Sequence, residues 1–164
     1  MASSKNIRIE SSDFIGAKAV GVNLRSISNV SLDDIFIGDV SKRVWTAGDS
    51  RIDLEACVAF CSYWEPNNCY ESGITNSIAT GCAYAGFVAP GHECGETNSN
   101  KFRSNVAHSN ERVGALIYPD PASSKSSSCY EGSNFAAYKN REGGLGTHYK
   151  TEDLRMRDMT FIDN

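Results

Sequence analysis

No run of about 18 apolar residues occurs in this 164-residue chain, so no segment reads as a membrane-spanning helix. The first residues, Met1-Ala2-Ser3-Ser4-Lys5, lead into no apolar signal-peptide core. That leaves two settings: the cytosol, or a piece of a larger protein whose signal lies elsewhere. Helical periodicity is also missing, because no long segment places its apolar residues at helical spacing. Basic residues are in no excess. The formal net charge is -4, which argues against nucleic acid and anionic membrane as main partners, since both call for clustered Lys and Arg. The chain has no G-x-S-x-G elbow, no H-E-x-x-H, no Walker loop and no EF-hand loop. Gly143-Gly-Leu-Gly146 lacks the Lys and the strand-to-helix setting of a phosphate cradle, and reads as a bend. Nothing in the sequence calls for a cofactor.

What is present is a soluble balance, 40% hydrophobic and 22% charged, in a chain of single-domain length. Short apolar runs ending in Gly, Asn or Asp recur throughout. They include Asn6-Ile7-Arg8-Ile9, Ile35-Phe36-Ile37-Gly38, Gly114-Ala115-Leu116-Ile117-Tyr118 and Met159-Thr160-Phe161-Ile162. The alternation in Ile7-Arg8-Ile9 and Ile52-Asp53-Leu54 fits strands with one buried face.

The runs repeat. Asn76, Asn105 and Asn134 are evenly spaced, and each opens a similar phrase: Asn, a small apolar pair, a polar turn, then Gly (Gly86, Gly114, Gly144) and a second strand. Asn6 to Gly16 is a looser copy. Such a grammar suits a parallel β-helix. Asn tolerates a left-handed bend and can bond its counterpart in the next coil, and Gly accepts positive φ at the other bend. The expected fold is all-β, a right-handed single-stranded parallel β-helix filling 1–164 as one domain. It has about six coils, starting near 6, 29, 51, 76, 105 and 134, with a further one near 154. Loops at 64–69, 89–98 and 119–129 should project from one side. The chain stops inside a strand phrase, Phe161-Ile-Asp-Asn164, with no polar cap, which reads as a section of a longer solenoid.

Six cysteines, Cys57, Cys61, Cys69, Cys82, Cys94 and Cys129, lie in the middle of the chain. An even count among Ser, Gly and Asn points to disulfides and an extracellular setting. The alternatives are buried free thiols and a zinc site, although no C-x2-C pair is present. Each expected loop contains or ends at a cysteine, so pairings such as Cys61 with Cys69 or Cys94 with Cys129 would pin loops to the stack.

Between residues 82 and 139 the chain resembles a known family. Cys82-Ala-Tyr-Ala-Gly-Phe-Val-Ala-Pro-Gly-His-Glu-Cys-Gly-Glu96, Asn105-Val-Ala-His-Ser-Asn110, Gly114-Ala-Leu-Ile-Tyr-Pro-Asp120, Cys129 and Phe135-Ala-Ala-Tyr-Lys139 are similar to the β-helix region of fibrocystin and fibrocystin-like proteins. Cell-migration-inducing hyaluronidases carry related β-helices. The resemblance implies a non-catalytic segment of a large extracellular, membrane-anchored, receptor-like protein, serving as rigid spacer or ligand-binding surface. Its hyaluronan-cleaving relatives suggest the rival, a polysaccharide-active glycosidase or lyase.

The rival needs two carboxylates about 5–10 Å apart. Asp33, Asp34, Asp39, Asp49 and Asp53 form the densest acidic set, and residues one coil apart can meet. Asp is equally a preferred turn residue. Binding candidates are His92, in a Pro-Gly-His-Glu-Cys loop, His108, Trp64 and Tyr118, with a protein or carbohydrate as the ligand. His108 shares a strand face with Val106, which suits a hydrogen-bonded structural histidine. The aromatics Tyr63, Trp64, Tyr70, Tyr84, Phe87, Tyr118, Tyr130, Tyr138 and Tyr149 either offer flat faces to sugars or stack on one another. One N-glycosylation sequon, Asn29-Val30-Ser31, matters if the chain is secreted.

Overall fold

A computed structural model describes residues 4–18, 20–24, 27–42, 56–60, 69–70, 72–90, 92–94, 102–118, 129–147 and 153–164. These contain strands and no helix. In chain order the strands are β1 Ser4–Ile15, β2 Val22–Leu24, β3 Ile27–Val40, β4 Ala56–Phe60, β5 Cys69–Tyr70, β6 Gly73–Thr75, β7 Ile78–Cys82 and β8 Ala85–Pro90. They continue as β9 His92–Glu93, β10 Phe102–Arg103, β11 Val106–His108, β12 Val113–Tyr118, β13 Cys129–Tyr138, β14 Gly143–Thr147 and β15 Asp153–Ile162. They form two sheets. The smaller runs β14-β12-β8-β4-β2, and the larger contains the other ten strands. Every pairing among the described residues is parallel except that of β9 with β13. An all-β parallel architecture therefore agrees with the reading of the repeats.

The bends explain how strands of up to 14 residues arise from short apolar runs. Left-handed backbone falls into columns that follow the register. One column holds Ser11, Asp34, Asn76, Ser104, Asn134 and Asp158, with φ between 44° and 55°. Five residues on, a second holds Gly16, Asp39, Gly81, Ser109, Lys139 and Asp163. Asn6 and Asn29 begin a third, five residues earlier. Asn and Asp visit this region most readily among residues with a side chain. Each long strand is thus a series of four-residue stretches turned at left-handed points.

Two expectations about the repeat need correction. The even Asn76, Asn105, Asn134 spacing mixes two columns. Asn76 aligns with Ser104 and Asn134, while Asn105 aligns with Ser77 and Phe135 and is fully buried. The coil start expected near residue 51 lies outside the described residues, among which β3 pairs directly with β6 and β7. The repeat glycines also act differently from their expected role. Gly86, Gly114 and Gly144 carry no positive φ. A Cβ at Gly86 would stand 2.6 Å from the Gly114 carbonyl oxygen, and one at Gly114 would stand 2.5 Å from that of Gly144. These glycines let backbones of successive rungs approach. Gly16, at φ 74°, does serve the bend assigned to it.

The core lies between the sheets. Alternation puts Leu32, Ile35, Ile37, Ile74, Phe102 and Phe135 inward from the large sheet, and Val58, Phe60, Phe87 and Ile117 inward from the small one. Phe87, Phe102, Phe135 and Phe161 form an edge-to-face chain with neighbouring centroids 5.3 to 6.3 Å apart. Burying Phe87, Phe102 or Phe135 contributes about 1.5–3 kcal/mol each, while Phe161 stays half exposed at the end of the chain of rings. A second, smaller apolar cluster of Ala56, Ala59, Ala85, Val88 and Leu116 belongs to the small sheet. Val88 and Leu116 neighbour Phe87 and Ala115 in sequence, so they occupy its opposite face.

Candidate functional site

The polar side chains fall into ladders that run from rung to rung, in the core and on the outer face of the large sheet. The inner ladder follows the second bend column by one residue: Cys82, Asn110, Asn140 and Asn164. Asn110 donates from Nδ2 to Asn140 Oδ1 at 2.8 Å, and Asn140 donates from Nδ2 to Asn164 Oδ1 at 2.7 Å. The backbone N–H groups of Cys82 and Asn110 donate to the Oδ1 atoms of Asn110 and Asn140. Asn110 and Asn140 are almost wholly buried, so these bonds satisfy amides that would otherwise be costly to bury. A parallel arrangement surrounds Asn105. It accepts from the Ser77 N–H and donates to the Ile74 carbonyl. The bonding of Asn across coils was legible in the sequence; its use inside the core was not.

The acidic candidates are bend and ladder residues. Asp33 is half-buried and accepts from Thr75 Oγ1 at 2.7 Å and from Asn76 Nδ2 at 2.8 Å, both one rung away. These two hydrogen bonds, Thr75 first, hold its carboxyl below the usual value. Asp34 is exposed at a left-handed bend and accepts from Ser11 Oγ at 2.9 Å. Asp39 is exposed in the other bend column. Asp49 and Asp53 lie outside the described residues.

His108 belongs to the outer ladder. It aligns with Thr80 on one side and Tyr138 on the other. Its ring stacks on Tyr138 at 4.6 Å between centroids and 7° between planes. Nδ1 lies 3.1 Å from Thr80 Oγ1 and 3.2 Å from Ser109 Oγ. Burial first, and the Lys139 charge second, push its pKa down. That shift favours the neutral ring, and in the tautomer with Nδ1 unprotonated that atom can accept a hydroxyl hydrogen bond. Because the rings stack rung upon rung, they turn their faces to each other. The same holds for Tyr84, whose face carries the Arg112 guanidinium at 4.7 Å, while Phe87 is wholly in the core. Among the described aromatics, stacking prevails over display.

A corner of charges was not foreseen. Arg112 donates from Nε to Glu142 at 2.7 Å, and Lys42 pairs with Glu111 at 2.6 Å. Each of these pairs crosses between rungs. Their signal was present as like-placed charges after Asn110 and Asn140, but it appears only with the correct register.

Of the other candidates, Trp64 and Cys61 lie outside the described residues, and the side chains of His92, Tyr118, Cys69 and Cys129 are likewise outside them. Asn29 is exposed at a left-handed bend, and its Nδ2 donates to Asn6 Oδ1 at 2.9 Å. Cys57 and Cys82 form a disulfide, with Cα atoms 5.5 Å apart and both residues fully buried. It ties β4 of the small sheet to β7 of the large one, a link that neither pairing suggested by the loops had included. Cys94 is also disulfide-bonded. Among the described residues no group of His, Cys, Asp and Glu is placed to hold a metal, and no helix is long and apolar enough to cross a membrane. No protein-family model, curated protein or solved structure matches the chain.

Proposed function

We propose that this chain is a right-handed parallel β-helix of six coils, from a fibrocystin-like cell-surface protein. It works outside the cell as a rigid, non-catalytic spacer or binding surface for a protein or carbohydrate. The observation that carries this reading is the way the polar side chains are used. Asp33, Asp34, His108, Asn110 and Asn140 each bond a residue on a neighbouring rung. An acid–base pair for glycan cleavage needs carboxylates facing a substrate. Here Asp33 is held ionised by Thr75 and Asn76, which suits a fixed strut better than a proton donor. The buried Cys57–Cys82 bond supports an oxidising compartment.

Two measurements on the secreted protein test this. Thiol titration without reductant should find no free cysteine. Incubation with hyaluronan and with other acidic glycans should leave polymer length unchanged. Progressive shortening of a glycan that stops on Asp33→Asn would replace the spacer reading with the polysaccharide-active one.

A further inference from the structure

Strand β9 runs against its neighbour. It sets Glu93 opposite Tyr130 and His92 opposite Glu131. One further step of that register brings Cys94 opposite Cys129. Cys94 is half-buried and disulfide-bonded. Since Cys57 and Cys82 are joined to each other, its partner is one of Cys61, Cys69 and Cys129. Directly opposed residues of an antiparallel pair sit about 4.5–5.5 Å apart at Cα, with side chains on one face. That falls inside the span of about 4.4–6.8 Å that a disulfide bridges. Cys69 fits less well. The register puts it two residues upstream of the level of Cys94 and Cys129, and one rung from the place β9 takes beside β13. Two residues along a strand and one rung across amount to roughly 8 Å, beyond a disulfide's reach. Cys61 lies outside the described residues and stands only eight residues before Cys69 along the chain, close enough to pair with it.

We infer that Cys94 and Cys129 form a disulfide clasp that locks β9 onto β13, which leaves Cys61 and Cys69 as the third pair. The inference rests on the extracellular reading above, because both require an oxidising compartment. The clasp has a structural purpose. On its other side β13 is held to β15 by a long parallel ladder, whereas β9 meets β13 through two residue pairs. The bond would fasten the end of β9 to the start of β13.

The two disulfides should also differ in lability. Cys57 and Cys82 are fully buried, while Cys94 is partly exposed. A small thiol such as glutathione attacks as its thiolate on one sulfur of the clasp, forming a mixed disulfide and releasing the other cysteine. A second glutathione then frees the first cysteine and leaves as glutathione disulfide. The clasp should therefore open while the core bond stays closed.

Proteolysis of the secreted protein without reductant, followed by mass spectrometry, tests the pairing. The expected products are a Cys94–Cys129 linked peptide and a Cys61–Cys69 linked peptide. A Cys94 peptide joined to Cys61 or Cys69 overturns the clasp and leaves the extracellular reading standing. Six free thiols overturn both. In a glutathione titration quenched by alkylation, Cys94 and Cys129 should be labelled at concentrations that leave Cys57 and Cys82 unlabelled. Labelling of Cys57 and Cys82 first overturns the order of lability.

Discussion

Replacing Asn140 with alanine should be among the most damaging single changes to this protein, although Asn140 touches no candidate ligand. The side chain makes four hydrogen bonds. It accepts at Oδ1 from the Asn110 backbone N–H and from Asn110 Nδ2, and donates at Nδ2 to the Ala107 carbonyl and to Asn164 Oδ1. Alanine removes all of them. Asn164 is exposed and its Oδ1 keeps the Asn140 backbone N–H, so that loss costs little. The Asn110 N–H, Asn110 Nδ2 and the Ala107 carbonyl belong to residues 2% exposed or less, and each buried orphan costs about 1–3 kcal/mol. Three at the lower end, plus the small void, come to about 3–4 kcal/mol. For a chain of this size that lowers Tm by roughly 6–16 °C.

Asn134→Gly is the matched control. Asn134 is exposed, makes one side-chain bond to Ser104 Oγ, and sits at φ 50°, which glycine adopts freely. Its loss should stay within about 0.5 kcal/mol. Urea unfolding followed by circular dichroism measures both variants. Rung arrays can unfold in parts, so amide exchange at residues 107–110 should accompany it. An Asn140→Ala penalty below about 1 kcal/mol, or one equal to that of Asn134→Gly, would refute the argument that the inner ladder carries the stack.

Other outcomes follow from the same geometry. Gly114→Ala drives a Cβ to 2.5 Å from the Gly144 carbonyl oxygen and should cost at least about 1–3 kcal/mol, whereas Gly143→Ala meets nothing within 4 Å and should be neutral or slightly stabilising, as paired melting curves will show. Phe135→Ala, at the centre of the phenylalanine chain, should cost about 3–5 kcal/mol in urea titration. His108 should titrate below the ordinary histidine value of about 6.5 by NMR. The unfolded chain then binds the proton first, so this residue's contribution is whole above about pH 6.5 and declines as pH falls through that value; a titration midpoint above it would sink the account. Asp33 has a carboxyl held low, so its contribution is present above the ordinary carboxylate value and fades as pH falls through its own lower one; Asp33→Asn should flatten the acid limb of the stability curve.

Much of the architecture was legible because side-chain type and backbone demand coincide at the bends. Asn6, Asn29, Asn76, Asn134, Asp34 and Asp39 all stand where left-handed backbone is needed. The alternation Ile7-Arg8-Ile9 likewise reports which side is inward, since Ile7 and Ile9 are half-buried while Arg8 is exposed. The register was harder to read. Ser104 and Lys139 hold bend positions without the expected residue type, and Asn105 imitates a bend residue from the next position inward. Equal spacing of Asn therefore links Asn76 to Asn105 and hides the ladder through Asn110 and Asn140. The candidate site is less legible because its partners are far apart in the sequence. His108 and Asp33 are meaningful only beside Thr80, Tyr138, Thr75 and Asn76, and those neighbours are known only once the rungs are stacked.

The unequal separations along the first bend column bear on how the chain assembles. From Ser11 to Asp34 the path is short, and from Asp34 to Asn76 it is the longest, yet both close onto an adjacent rung. Loop-closure entropy grows only with the logarithm of length. The longer circuit therefore costs only about 0.5 kcal/mol more to close than the shorter one. Each rung, once formed, offers the next a template of similar value, so folding can proceed as a zipper with nearly even teeth. An extra stretch of chain between rungs delays that zipper slightly and leaves its alignment intact.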